Sequence, residues 1–342
     1  MLLVVLLAMP TAELATRLVL HAKYGVPGKS LGRWESDPVL GARMARSVYD
    51  HRMETNDHGF RGPEDVIDPR PEGALRIIAY GGSTTLCWNL SEEETWPRRL
   101  EARIRQDAGR AESQVLNAGD INWSIGHAFA RARTEVPALR PDYVVLYSGI
   151  NEVVNSRLLE AEGLSIADLV ERGEYGRIAR NSPQASWWAR HSFVYRAFQG
   201  RVLRPLTRLW QERAHDPWYE RQRQLIGPKS PALPPDPALL ENYEHVLVEF
   251  IDFVKANGGK FVFVVQARGW DSVALEHFTS YSRAAAPIAA AHGAIVIDAE
   301  AALPPDPEAL FYESGIHFSA DGADWFAGFV YEEVFAERSD EE

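Results

Sequence analysis

The sequence predicts an α/β protein, a five-stranded and mostly parallel sheet with helices on both faces and one helical insertion. Three observations predict it. Short apolar runs recur at 75–80, 114–119, 142–148, 260–266 and 294–298, each of a length that suits a single buried strand. Stretches of helical period separate them, and strand–helix–strand spacing of this kind implies right-handed crossovers and parallel pairing. The first three runs end on Gly, Ser and Asn, the residue types expected where an open sheet presents polar groups to a ligand.

Composition bounds what such a sheet can do. The chain has 342 residues, 46% hydrophobic and 25% charged, with a formal net charge of −12. It can bury a large core, and it carries no basic footprint for nucleic acid. The single cysteine, Cys87, excludes an intramolecular disulfide and a Cys-based zinc cluster. Four residues after a candidate nucleophile, it reads as a small buried apolar residue rather than as a nucleophile itself. No cofactor and no metal is expected.

Residues 1–22 open with LLVVLLAM and stay apolar to about residue 20. They read as a signal-anchor or uncleaved signal helix, which implies membrane association with the catalytic body outside the cytoplasm; the competing reading is an amphipathic helix docked on the body. Glu13 and Arg17 stand at a spacing that pairs them on one helix face. Residues 23–72 form a lead-in rich in Gly, Pro and Asp. Within its turn sequence TNDHGFRG (55–62), Asp57, His58 and Arg61 either face a site or satisfy the loop's own backbone groups.

The stretch LRIIAYGGSTT (75–85) follows, a strand stopped by Gly81 and Gly82, with Ser83 delivered at its carboxyl end. Ser83 is the candidate nucleophile; the alternative is a plain βα loop whose Ser83 or Thr84 caps the next helix. A helix is expected from an N-cap at Ser91 to about residue 107, its acidic residues first and its basic residues later. The second strand ends on Gly119, and INWSIGHAFARARTEVPALR supplies another helix. The third ends on Gly149, Ile150 and Asn151.

From 153 to 238 the rhythm breaks, with Trp187, Trp188, Trp210 and Trp218 among Arg and Pro. This is the helical insertion, read either as a lid or carbohydrate-facing surface or as a small core of its own. A helix closed at Asn257–Gly259, the fourth strand, a helix around 280–292 and the fifth strand resume the pattern. Near the end, His317 lies in a Gly-containing loop just before a helix starting near Ser319 or Asp321. A loop histidine supplies the general base that an exposed serine needs for acyl transfer.

These residues carry a resemblance. Gly81-Gly82-Ser83-Thr84 resembles the first motif block of the SGNH/GDSL hydrolase superfamily, Asn117-Ala118-Gly119 its glycine block, Gly149-Ile150-Asn151-Glu152 its Gly-x-Asn block, and Gly315-Ile316-His317 with Asp321-Gly322 its histidine block. The four occur in order within a domain spanning 73–338, and TNDHGFRG is similar to a lead-in of membrane-anchored bacterial members. The resemblance implies a three-layer α/β/α, flavodoxin-like fold and ester hydrolysis on a small-molecule or glycan ester, such as an O-acetyl group. Acyl transfer to a saccharide hydroxyl by the same residues, or a weakly active binding component, are the alternatives. Ser83 would be the nucleophile and His317 the base, with an oxyanion hole of Ser83 N–H, Gly119 N–H and the Asn151 amide.

Two positions depart from the pattern. Gly82 stands where the superfamily has Asp, at a place that shapes the turn, and Ser314 stands where it has the Asp that orients the histidine. Glu313 is the candidate replacement, with Asp298, Glu300 or a carbonyl as alternatives, or a Ser–His dyad with no acid.

Overall fold

The computed structural model describes residues 10–18, 34–37, 41–46, 49–50, 53–107, 109–149, 151–152, 192, 235, 237–269, 273–312 and 315–336. The 153–238 insertion lies outside them apart from Ser192, Pro235, Pro237 and Ala238, and Glu313 and Ser314 lie outside them as well.

Five strands form one parallel sheet: β1 (Arg76–Gly81), β2 (Gln114–Asn117), β3 (Tyr143–Tyr147), β4 (Lys260–Val265) and β5 (Ile295–Asp298), in spatial order 2-1-3-4-5. All five expected strands are present, and the pairing is wholly parallel. Every residue of β1 is buried, as a strand covered on both faces requires. Ile78 and Tyr80 turn to one layer, packing with Phe129 of α2 (Ile125–Leu139), Phe250 of α3 (Pro237–Ala256) and Ala285 of α4 (Val273–Ala291). Ile77 and Ala79 turn to the other, with Trp96 and Leu100 of α1 (Trp96–Ile104) and Phe326 of α5 (Ala320–Val334). The fold is therefore three-layered, α/β/α. Strand order reverses beside β1, since the chain runs outward to β2 and then returns across β1 to β3. Loops leaving such a point part from each other and open a crevice.

Two helices start elsewhere than expected. Ser91 does form a capping box with Glu94, but it caps a single 3₁₀ turn, Glu92–Glu94. The α-helix begins after Thr95, whose hydroxyl accepts from Arg98 N, with Pro97 in the first turn where its missing N–H costs nothing. Helix α4 begins at Val273, seven residues before the expected 280, and runs to Ala291.

The lead-in is woven into this body. Its residues form two short antiparallel ribbons, Trp34–Asp37 with Gly41–Met44 and Tyr49–Asp50 with Met53–Glu54. Phe60 is fully buried in the α2/α3 layer, with the Arg131 guanidinium 4.7 Å from its ring centroid. Residues 10–18 are helical, and Arg17 pairs with Glu13 at 2.9 Å as the spacing implied. Glu13 also accepts from Ser192 Oγ at 2.8 Å. No helix among the described residues is long and apolar enough to cross a membrane.

Candidate active site

The site is built at the carboxyl end of β1, where two glycines are needed for space. A Cβ on Gly81 would lie 2.2 Å from Thr85 Oγ1 and 2.3 Å from the Tyr147 carbonyl oxygen. On Gly82 it would lie 2.4 Å from Asn151 Nδ2 and 3.1 Å from the Trp123 carbonyl oxygen. The position where the superfamily pattern has Asp thus has no room for a side chain while Asn151 sits where it does. Ser83 opens one helical turn, Ser83–Leu86, whose Thr85 and Leu86 amides return to the Gly82 carbonyl at 3.1 and 3.0 Å. Ser83 is the first residue of the turn, so its N–H is directed away from the helix with no intrahelical acceptor.

His317 reaches Ser83 from a loop tied at several points. Gly315, at φ +70°, donates to the Tyr312 carbonyl at 2.8 Å, and Tyr312 N–H donates to the His317 carbonyl at 2.7 Å. Phe318 then stacks on Tyr147, and Asn89 Nδ2 donates to the Phe318 carbonyl at 3.0 Å. Ser83 Oγ lies 2.9 Å from His317 Nε2. Burial lowers the His317 pKa to about 4, so the ring is neutral at pH 7 and Nε2 is able to accept the serine proton. The half-exposed Trp88 stands edge-on to the imidazole, with centroids 5.8 Å apart.

The loops after β2 and β3 meet above Gly82. Asn151 Nδ2 donates one hydrogen to the Trp123 carbonyl at 2.9 Å, which fixes the amide and leaves its second hydrogen for another acceptor. Next to it, Glu152 is buried, and its Oε1 accepts from Ile125 N at 2.5 Å and Ser148 Oγ at 2.9 Å. Gly119 is placed differently from a free oxyanion donor: its N–H donates to Asn117 Oδ1 at 3.0 Å. What the fold needs from this glycine is a missing side chain, since a Cβ would lie 2.3 Å from Leu86 N.

The other residues singled out in the sequence sort by location. Asp57 and His58 pair with each other at 2.6 Å on the exposed surface. Arg61 is buried beneath the serine turn. It donates to the carbonyls of Leu86, Cys87 and Leu90, the latter two at 2.7 and 2.8 Å, and pairs with Glu92 at 2.8 Å. Cys87 is buried with its thiol pushed up to about 11, which keeps it un-ionised and inert. The alternative acids are occupied: Asp298 Oδ1 accepts from the Glu300 and Ala301 amides, each at 3.0 Å, and Glu300 pairs with Arg268 at 3.0 Å and with Arg283. Glu313 lies outside the described residues. Sequence reasoning assigned no task to the Trp123 carbonyl, to Glu152 beyond its place in a motif, or to Trp88. A buried-strand end followed by an acid was the one available signal for Glu152.

No protein-family model matches the chain, and no curated protein matches it. Solved structures similar to it include a lipolytic protein of the G-D-S-L family from Desulfitobacterium hafniense DCB-2, at 12% identity and TM-score 0.44, covering 76% of this chain and 99% of that one. Others are an acetyl xylan esterase, AlAXEase, at 13% identity and TM-score 0.45 over 76% and 100%, and the acetylxylan esterase Axe2 from Geobacillus stearothermophilus, at 14% identity and TM-score 0.46 over 77% and 95%. Likeness at this level carries no argument about chemistry, which rests on the atoms just described.

Proposed function

We propose that the chain is a serine ester hydrolase working through an acyl-enzyme. The observation that carries this reading is the 2.9 Å contact between Ser83 Oγ and a neutral His317 Nε2 at the strand-order reversal, beside the Asn151 amide. Ser83 Oγ attacks the acyl carbon while its proton passes to His317 Nε2. The tetrahedral oxyanion takes hydrogen bonds from Ser83 N–H and from the second hydrogen of Asn151 Nδ2. The imidazolium then returns its proton to the leaving alkoxide, the alcohol departs, and a water deprotonated by His317 releases the acid and restores the serine.

Ser83, Asn151 and His317 are each only half-buried, an arrangement that admits an ester on a small molecule or on a larger glycan. The same proposal sets residues 1–22 against a membrane. Supporting it, Leu14 and Leu18 point outward with 60% and 61% of their surface exposed, whereas Glu13 faces back to Ser192. That is the reverse of a helix docked by its apolar face and suits contact with lipid.

A fluorophosphonate probe tests the chemistry, because labelling requires an activated serine with an open oxyanion hole. Stoichiometric labelling is expected in the native chain and none in Ser83→Ala. Absence of labelling in the folded native chain, or labelling that survives Ser83→Ala, would overturn the reading.

A further inference from the structure

Glu152 is a buried acid next to the proposed oxyanion hole, and the mechanism above uses none of its atoms. It is 2% exposed, and burial pushes its pKa up to about 7. An apolar side chain would fill that space without the desolvation cost, so the carboxyl must return something in geometry. Both of its strong hydrogen bonds fall on one oxygen: Oε1 accepts from Ile125 N and Ser148 Oγ, while Oε2 has no hydrogen-bond partner among the described residues.

The placement of those bonds says what is returned. β1 lies between β2 and β3 in the sheet, so the loops that follow β2 and β3 rise on either side of the serine turn. They are joined across Gly82 by two rungs that run in opposite senses. Asn151 Nδ2 donates to the Trp123 carbonyl, and two residues further along that loop Ile125 N donates back to Glu152. The first rung holds the amide that faces the oxyanion; the second holds the span of the first. Ser124 is the N-cap of α2 and its capping box with His127 engages the third amide of the helix, so the first amide, that of Ile125, takes its acceptor from across the crevice, from Glu152.

We infer that Glu152 is a positioning residue, one that sets the Asn151 amide at the distance the oxyanion requires by stapling the loop after β3 to the loop after β2. It does not touch substrate. Because Oε1 takes both bonds, a neutral acceptor of the same length holds the staple as well as a carboxylate does, and Gln is such an acceptor. Asp withdraws the oxygen by one methylene and lets the span open. A misplacement of about 1 Å at a catalytic group costs up to roughly 10²-fold in rate.

The inference rests on Asn151 being an oxyanion donor, and the experiment separates the two. Turnover of a short-chain aryl acetate is measured for Glu152→Ala, Glu152→Asp and Glu152→Gln, each alone and combined with Asn151→Ala. Expected is a kcat loss of about tenfold or more for Glu152→Ala, a smaller one for Glu152→Asp, and recovery to within about threefold of native for Glu152→Gln, with KM moving less than about threefold throughout. In the Asn151→Ala background, the Ala and Asp changes are expected to cost nothing further, since the group they position is gone. Should Glu152→Ala fail to fold, the Asp and Gln pair decides alone. Losses that simply add to that of Asn151→Ala, an unchanged kcat in Glu152→Asp, or a Gln variant no better than Asp would overturn the inference. An unaffected kcat in Asn151→Ala itself would instead remove the oxyanion role on which it stands.

Discussion

At the scale of single residues, the burial of His317 makes a prediction about pH. A neutral imidazole is the base, and burial disfavours its charged form, so the ring takes up a proton only near its lowered pKa of about 4. The acid limb of kcat/KM is therefore expected near pH 4 rather than near pH 6.5, and a limb at pH 6.5 in a pH–rate profile would show that burial does not govern the base. Asn151 makes a second prediction. Its amide is asked to bind charge that exists only in the transition state, so Asn151→Ala is expected to lower kcat by about 10²–10³ with little change in KM. A pure KM effect in steady-state kinetics would remove it from the oxyanion hole. Ser83, Asn151 and His317 were legible because each sits in a short polar break at the end of an apolar run or before a helix. The environment of Gly119 was not legible, because a motif records that a glycine is present and not where its N–H points. Here the neighbouring Asn117 side chain takes that hydrogen.

At the scale of elements, the serine turn is held from below by a residue of the lead-in. Arg61 gathers the carbonyls of Leu86, Cys87 and Leu90, the backbone that leaves the turn, and offsets the half-buried Glu92, whose carboxyl desolvation pushes upward. Cys87 adopts φ +54° in this stretch, a strained conformation for a side chain with a Cβ, and the guanidinium is what over-determines it. Arg61→Leu would take a donor from the carbonyls of Leu86, Leu90 and Cys87, of which Cys87 keeps the Leu90 N–H, and from the Glu92 carboxylate, and a loss of about 3–5 kcal/mol in denaturant unfolding is expected. Arg61→Lys should recover little, since a point charge does not serve four acceptors in fixed directions. A change under 1 kcal/mol in Arg61→Leu would mean that water or a rearranged loop replaces the contacts. Helix starts were the weak part of the sequence reading for a related reason. Ser91 and Thr95 both have cap chemistry, and only packing of Trp96 against Phe326, with centroids 5.1 Å apart, selects the second for the α-helix.

At the scale of the whole molecule, the strands, their parallel sense and the crevice at the strand-order reversal follow from five apolar runs and the helices between them. The boundary of the domain does not, because composition marks where turn residues are dense and not what they pack on. Residues 23–72 read as a lead-in ahead of a domain starting at 73, yet Phe60 is a fully buried member of the core and Arg131 lies over its ring, with its Nη2 on the Gly59 carbonyl at 3.2 Å. Asn56 Oδ1 holds that turn through the His58 and Phe60 amides, each at 3.0 Å, and Arg61 N–H donates to the Asn117 carbonyl at 2.9 Å at the end of β2. A chain beginning at residue 73 would lose Phe60 from the core, a change of about 3–5 kcal/mol on the scale of Phe→Ala. It would also lose the Arg61 contacts, and together these approach the whole stability of about 5–15 kcal/mol typical of a domain. A chain beginning at residue 23 loses neither. The expected outcome is that the second gives a cooperative thermal unfolding transition and full probe labelling of Ser83, while the first gives neither. Cooperative unfolding of the chain that starts at 73 would show the lead-in to be an appendage, and failure of the chain that starts at 23 would show that residues 1–22 are part of the folded body.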